Sequence, residues 1–185
     1  TSGSTPDDKL LIGQATTGGA DATEWGLFLN SGRVEFRTQG GAPVSVQWST
    51  AVSTATWYHA LVSRDGSDDI RLFVDGDEKA SQNSANNFSA TTAINIGYNA
   101  NDSKTPFDGN IDEIRISDVA RETGNFTPTA EEYTSDANTL LLIHCNEKIT
   151  SGTTGSGAVF TDSGDTGHTV TETNSAIRDE ITLKF

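Results

Sequence analysis

The sequence has a single cysteine and no methionine. One cysteine cannot form an internal disulfide, so a fold held together by disulfide bonds is excluded. This residue, Cys145, ends the apolar run 140–145, where a small buried hydrophobic side chain is expected rather than a reactive thiol. Because the sequence begins at Thr1 and lacks methionine, we expect it to be a segment of a longer protein.

Basic residues are also scarce. The 12 Lys and Arg residues are outnumbered by 26 Asp and Glu, and the formal net charge is -14. Phosphate groups would be repelled, so the composition argues against nucleic acid or an anionic membrane as a partner. The charge suits divalent cations, neutral sugars or basic partners, and solubility alone is the more common reason for it. No run is long and apolar enough to cross a bilayer, and no membrane insertion is expected.

Helical periodicity is nearly absent, while turn residues are abundant. Only 129–133 has the pattern of a helical turn, with Thr127 or Thr129 as its cap. Glycines and polar residues separate short segments that are apolar or that alternate between apolar and polar side chains. This pattern is typical of an all-β sandwich or jelly roll. We predict strands at 9–15, 24–29, 33–37, 44–48, 56–64, 70–74, 93–98, 111–117, 139–145, 159–160, 168–172 and 181–185.

Two Asp-Gly pairs mark hairpin turns in the middle of the chain. Asp65-Gly66 follows the predicted strand at 56–64, and Asp75-Gly76 follows the one at 70–74. Asp-Gly is the strongest short hairpin signal, because such turns need positive φ. We therefore expect Asp65 and Asp75 to serve turn geometry, ahead of catalysis or metal binding.

The stretch 106–117 organises the chain. It joins the turn Asp108-Gly109 to a predicted strand in which apolar and charged residues alternate. On such a strand Asp112 and Glu113 point to opposite faces. If the strand is central, one of these carboxylates is expected to meet a cation, a metal or backbone donors, because an unpaired buried charge is costly.

These segments, taken in order, resemble laminin-G-like domains of the concanavalin A-like lectin/glucanase superfamily. The resemblance implies a two-sheet antiparallel jelly-roll sandwich that binds glycans or proteins, often with a structural calcium ion. The form is similar to versions found in phage structural proteins and secreted bacterial adhesins. The matching segments are Trp57-Tyr58-His59, Arg64-Asp65-Gly66, 72–76 (Leu-Phe-Val-Asp-Gly), 94–97 (Ile-Asn-Ile-Gly), 107–117, Asn125-Phe126-Thr127 and 139–144.

The resemblance also guides the domain boundaries. Residues 1–8 are expected to be a flexible end or linker, and 9–185 a single β-sandwich. The element at 141–146, followed by an Asp-Ser-Gly turn, usually opens a domain of this family and here comes last. Residues 139–185 therefore either close the sandwich or start a following copy. The aromatic strand expected before residue 10 has no candidate, so a neighbouring copy or a flanking segment is expected to complete the sheet.

By the same resemblance, calcium is the expected cofactor. It takes six to eight oxygen ligands, including carboxylates and backbone carbonyls. Asp112, Asp162 and Asp165 would supply oxygens, together with Asn146 at a place where the family usually has Asp. The alternative is that Asp162 is a turn residue and Asp112 pairs with an arginine. The two interpretations are about equally supported by the residues.

Catalysis is not expected. Glycosidases of the superfamily carry a Glu-x-Asp-x-x-Glu arrangement along one strand face. Here Asn110 occupies the first acidic place, and Arg115 follows where no second Glu comes. A retaining pair of carboxyl groups must lie close across a cleft, and no segment marks one.

The aromatic residues are the candidates for sugar binding. Trp48 and Tyr98 adjoin polar loops and are the expected ligand-binding residues, whereas Trp57, followed by an apolar strand, is expected in the core. The predicted function is a non-catalytic carbohydrate- or protein-recognition module in a secreted, cell-surface or virion protein. The alternative is a purely structural fibre or decoration module that assembles with neighbouring copies. A glycoside hydrolase is a distant alternative.

Overall fold

A computed structural model describes residues 8–15, 23–38, 43–86, 93–98, 106–146, 160–165 and 167–171. Within these ranges the regular structure consists of β-strands, and no helix is long and apolar enough to span a membrane. The strands are β1 (Lys9–Ala15), β2 (Thr23–Asn30), β3 (Arg33–Thr38), β4 (Ser45–Gln47), β5 (Ala60–Arg64), β6 (Asp69–Val74), β7 (Asp77–Asn83), β8 (Ile94–Ile96), β9 (Ile114–Ser117) and β10 (Thr139–Ile143).

A first compact unit comprises Thr1–Gly109 and Ala120–Pro128. It contains a five-stranded antiparallel sheet in the order β4-β3-β2-β1-β8 and a three-stranded antiparallel sheet in the order β5-β6-β7. Alternate residues of both sheets form one core, as period-2 patterning requires. The unit is therefore a two-sheet antiparallel sandwich, as predicted. Its core residues are Val34, Phe36, Val44, Val46, Ile70, Leu72 and Val74.

The turn between β6 and β7 depends on Asp75 and Gly76. Both residues have positive φ, at 53° and 82°, which confirms the turn chemistry predicted for this pair. Asp75 also accepts the N–H of His59 at 2.9 Å. A Cβ on Gly76 would lie 2.0 Å from the carbonyl oxygen of Phe126, whose N–H donates to the Gly76 carbonyl at 2.9 Å. Glycine is therefore required at residue 76 both for the turn and for the close approach of the backbone at Phe126.

The turn between β5 and β6 has a different form from the one predicted. Its left-handed residue is Asp68, with φ 65°, and not Gly66. Asp65 caps the turn by accepting the N–H groups of Ser67 and Asp69 at 2.9 and 3.2 Å. Its carboxylate also pairs with Arg71 at 2.6 Å, and this hydrogen bond is the main reason that the pKa of Asp65 is lowered. The structural role expected for Asp65 is confirmed.

Strand β7 was not predicted from the sequence. Its residues, Asp-Glu-Lys-Ala-Ser-Gln-Asn, are polar and mostly exposed. The strand lies at the edge of its sheet and pairs with β6, for example through Ala80 opposite Leu72. The backbone ladder to a buried neighbour stabilises the segment, and side-chain pattern alone does not report this.

A second unit comprises Asn110–Val119 and Thr129–Phe185. Strand β9 pairs with β10 in an antiparallel ladder, and Leu141, Leu142 and Ile143 are buried, as expected for this apolar run. The helical turn predicted at 129–133 is wrong. There Thr129 Oγ1 accepts the N–H of Glu131 at 3.0 Å, as a helix cap would, but no helical turn follows.

Several boundaries differ from the predictions or are not described. Residue 160 and residues 168–171, which belong to two predicted strands, are not in strands. The strand predicted at 181–185 lies outside the described residues, as do residues 1–7. Asp8 is buried and pairs with Arg37 at 2.8 Å. The single domain over 9–185, and the two alternatives for 139–185, stay predictions.

Candidate functional site

Of the adjacent carboxylates Asp112 and Glu113, Glu113 is the one that contacts residues distant in the chain. Its carboxylate accepts the backbone N–H of Tyr133 at 3.0 Å and lies 2.8 Å from Nδ1 of His144. Its φ of 51° is in the left-handed region, which is uncommon for a residue with a side chain. The expectation that one of the two carboxylates meets strong partners is therefore confirmed. The side chain of Glu113 reaches these partners because its left-handed φ interrupts the strand geometry, and not because side chains alternate along a strand.

Asp112 lies before β9 in an exposed segment, so its predicted position on the strand is wrong. The left-handed Glu113 ends the alternation, and the strand begins only at Ile114. Asp112 accepts the N–H of Glu113 at 3.0 Å. Although the residue as a whole is exposed, partial burial of its carboxyl group raises the pKa of Asp112. The N–H of Glu113 opposes this effect, and the carboxylates of Glu113 and Glu132 add to it.

Asp162 is the most completely bonded carboxylate of the second unit. Its side chain is only 1% exposed. One oxygen accepts the N–H groups of Leu142 and Gly164 at 3.0 and 2.8 Å, and the other accepts the N–H of His168 at 2.8 Å and lies 2.9 Å from the ring of His168. Burial is the largest single influence and opposes ionisation. The combined hydrogen bonds outweigh it and lower the pKa of Asp162 to about 2. This geometry is that of a turn residue.

The other two predicted calcium ligands have separate partners. Asp165 accepts a hydrogen bond from the hydroxyl of Ser135 at 3.2 Å, and the side-chain amide of Asn146 donates to Glu132. In the part of the chain that the structure describes, no group of three or more His, Cys, Asp and Glu residues is arranged to hold a metal ion. With both oxygens of Asp162 already bonded to N–H groups, the four predicted residues do not fit one calcium site. Calcium stays a prediction from the resemblance.

The predicted ligand-binding aromatics are only partly accessible. Trp48 packs against the core of the sandwich, and its ring meets that of Tyr58 edge-on with centroids 5.9 Å apart. The ammonium group of Lys79 lies 5.7 Å from the centroid of the Trp48 ring. Tyr98, just after β8, is half-buried.

The exposed tryptophan is Trp57, which sequence reasoning assigned to the core. The side chain is 52% exposed, so that prediction is wrong. The predicted strand began at residue 56, but β5 begins at Ala60, and Trp57 lies in the preceding loop. The five Ser and Thr residues among the eight at 49–56 are the signal that the strand had not yet begun.

Two hydrogen bonds hold the segment 49–57, here called the Trp57 loop, and a third lies directly after it. The N–H of Val52 donates to the carbonyl of Gly32 at 2.7 Å, and the N–H of Ser53 donates to the hydroxyl of Tyr58 at 2.9 Å. Directly after the loop, Asp75 donates its N–H to the carbonyl of His59 at 2.8 Å. The loop is thus held at its start and at its end.

Comparison with protein families agrees with this architecture. A laminin G family model, described as the concanavalin A-like lectin/glucanases superfamily, matches residues 1–125. The chain belongs to this superfamily. The fold prediction, an all-β concanavalin A-like jelly-roll sandwich, is confirmed together with the family resemblance. Searches of curated proteins and of solved structures each gave no match. Since the superfamily's name covers both lectins and glucanases, membership leaves the biochemical activity to be argued from the site.

Proposed function

We propose that this chain is a non-catalytic recognition module that binds a carbohydrate or protein ligand, as part of a secreted, cell-surface or virion protein. The observation that carries the proposal is an exposed tryptophan on a fixed loop of a concanavalin A-like sandwich. Tryptophan is enriched at binding surfaces, because its large apolar ring and its N–H group can both contact a ligand. The acidic composition further favours partners other than nucleic acid or an inserted membrane.

The arrangement of carboxylates supports binding over hydrolysis. A glycosidase needs two carboxyl groups that face the same glycosidic bond and are free to exchange protons with it. Glu113 is engaged by Tyr133 and His144, and Asp162 is bonded by four N–H or ring nitrogen groups. Asp112 is exposed and has a raised pKa, so it is the carboxyl group to mutate in testing for residual hydrolysis.

The test combines binding and hydrolysis on the same ligands. The protein is applied to a glycan array and to insoluble polysaccharides in a pull-down, with and without chelator, and reducing ends are measured after long incubation. We expect retention on at least one glycan without release of reducing ends. Hydrolysis that Asp112→Asn abolishes would contradict the proposal and favour the glycoside hydrolase alternative.

A structural module that assembles with neighbouring copies is the second candidate. It is favoured by Val119 and Leu140, two apolar side chains that are 45% and 38% exposed and lie at the same end of the β9–β10 pair. Mass measurement over a range of protein concentrations tests it. Concentration-dependent assembly that Val119→Ser and Leu140→Ser suppress would support this candidate, whereas a monomer at all concentrations would reject it.

A further inference from the structure

The Trp57 loop lies in an unusually uncharged part of the sequence. From Thr38 to Ser63 there is no Asp, Glu, Lys or Arg, although such residues make up 21% of the chain. Two of the three tryptophans, Trp48 and Trp57, fall in this stretch. A protein with a formal net charge of -14 therefore has one long segment that contributes no carboxylate, ammonium or guanidinium group of its own.

The side chains around Trp57 are hydroxyl-bearing and accessible. Ser53, Thr54 and Thr56 are all exposed, and Trp57 itself is 52% exposed. An indole face binds the C–H surface of a sugar ring, and hydroxyls donate to and accept from sugar hydroxyls. A stable protein partner would instead bury about 800 Å² of accessible surface on each side. A single aromatic side chain among hydroxyls is a better match for a sugar.

The loop is also built to hold one conformation. Tyr58 accepts the N–H of Ser53, and Trp48 packs edge-on against the ring of Tyr58. Ala55 has φ 56°, a left-handed conformation that costs free energy for a residue with a Cβ. A loop that is ordered before binding loses less conformational entropy when a ligand arrives. In this arrangement Trp48 is a positioning residue that supports Tyr58, and the exposed Trp57 directly precedes Tyr58.

We propose that Trp57 is the stacking platform of a binding site for a neutral polysaccharide, with the hydroxyls of the Trp57 loop as its polar contacts. The proposal rests on the recognition function proposed above and specifies its ligand class and site. Neutral ligands are specified because the loop has no cation to bind a sulfate or carboxylate, and because the acidic protein repels polyanions.

The experiment uses the full chain and a panel of soluble polysaccharides. Neutral β-glucan, mannan and xylan are compared with alginate and a sulfated galactan by affinity electrophoresis and by tryptophan fluorescence titration. The variants are Trp57→Leu, which keeps an apolar side chain without a ring, and Trp57→Phe, which keeps an aromatic face. Ile94→Ser is the control, since it alters another exposed apolar residue at the opposite edge of the same sheet that contains β4.

We expect the unmodified protein to bind at least one neutral polysaccharide and to show protection of tryptophan from acrylamide quenching. Trp57→Leu should weaken binding about tenfold or more, Trp57→Phe should weaken it less, and Ile94→Ser should leave it unchanged. If Trp57→Leu fails to fold, the affinity of Trp57→Phe and the acrylamide quenching of the unmodified protein still show whether Trp57 contacts the polysaccharide.

Three results would overturn the inference. Binding that is unchanged in Trp57→Leu, or binding of anionic polysaccharides alone, would reject the site while leaving the recognition function standing. A protein that retains no glycan on the array and none on this panel would reject the site and remove the support for carbohydrate recognition together.

Discussion

The carboxylate of Asp162 accepts the backbone N–H of Leu142, 20 residues earlier in the chain, at 3.0 Å. Leu142 is a fully buried residue of β10, so this bond ties a surface turn to a buried strand. The same carboxylate also accepts the N–H groups of Gly164 and His168. A residue that resembles a calcium ligand in sequence is therefore a structural cap in the folded chain.

Asp162→Ala should destabilise the protein by about 2–4 kcal/mol, because three backbone donors lose their acceptor at a buried position. The measurement is urea denaturation followed by fluorescence. Asp165→Ala is the matched control, since Asp165 is exposed and its loss should cost no more than about 0.5 kcal/mol. We expect the loss in Asp162→Ala to be the same with calcium and with chelator. A loss seen only with calcium would instead support a metal ligand role.

The lowered pKa of Asp162 predicts a dependence of stability on pH. Its pKa is about 2 in the folded chain and near 3.8 in the absence of these contacts. The stabilisation is therefore present above about pH 4 and is lost as the pH falls towards 2, and it amounts to roughly 2 kcal/mol. Unfolding of the native protein and of Asp162→Asn is measured between pH 7 and pH 2. The difference in stability between them should shrink below pH 4, and a constant difference would contradict the assignment.

Asp112→Asn should change the pH dependence of stability in the direction opposite to Asp162→Asn, because the pKa of Asp112 is raised and not lowered. Burial raises the pKa of Asp112, and nearby carboxylates disfavour its charge, so ionisation opposes folding above its unfolded pKa. The substitution should be neutral or slightly stabilising at pH 7, within about 0.5 kcal/mol, and its effect should vanish near pH 3. Melting curves at both pH values test this. Strong destabilisation at pH 7 that appears only with calcium present would show that Asp112 binds the ion.

Gly76→Ala should be among the most damaging single substitutions in the first unit. It places a Cβ 2.0 Å from the Phe126 oxygen at a residue whose φ is 82°. We expect a loss of at least about 2 kcal/mol by urea denaturation. Gly66→Ala is the control, because a Cβ there meets nothing within 4 Å and its φ is not left-handed. Equal effects of the two substitutions would contradict the packing of the Phe126 backbone against the turn at Gly76.

The sequence was sufficient to predict much of the sandwich. Strict alternation in segments such as 33–37 and 44–48 determines which side chains face the core, because side chains on a strand point to opposite faces in turn. The Asp75-Gly76 turn was readable for a similar reason, since few residues tolerate positive φ. The apolar run 139–145 likewise requires a buried strand, and β10 supplies it. These features depend on local chemistry alone.

Tertiary structure decided the features that depend on neighbours distant in the chain. Strand β7 exists because β6 offers it a ladder, although its own residues are polar. Glu113, and not Asp112, is bonded to residues distant in the chain, because Tyr133 and His144 reach it from other segments. Trp57 is exposed because β5 begins three residues after it, where pairing with β6 begins. The sequence by itself determined the periodicity and the turns, and only the folded chain determined which polar and aromatic side chains face a partner, a core or solvent.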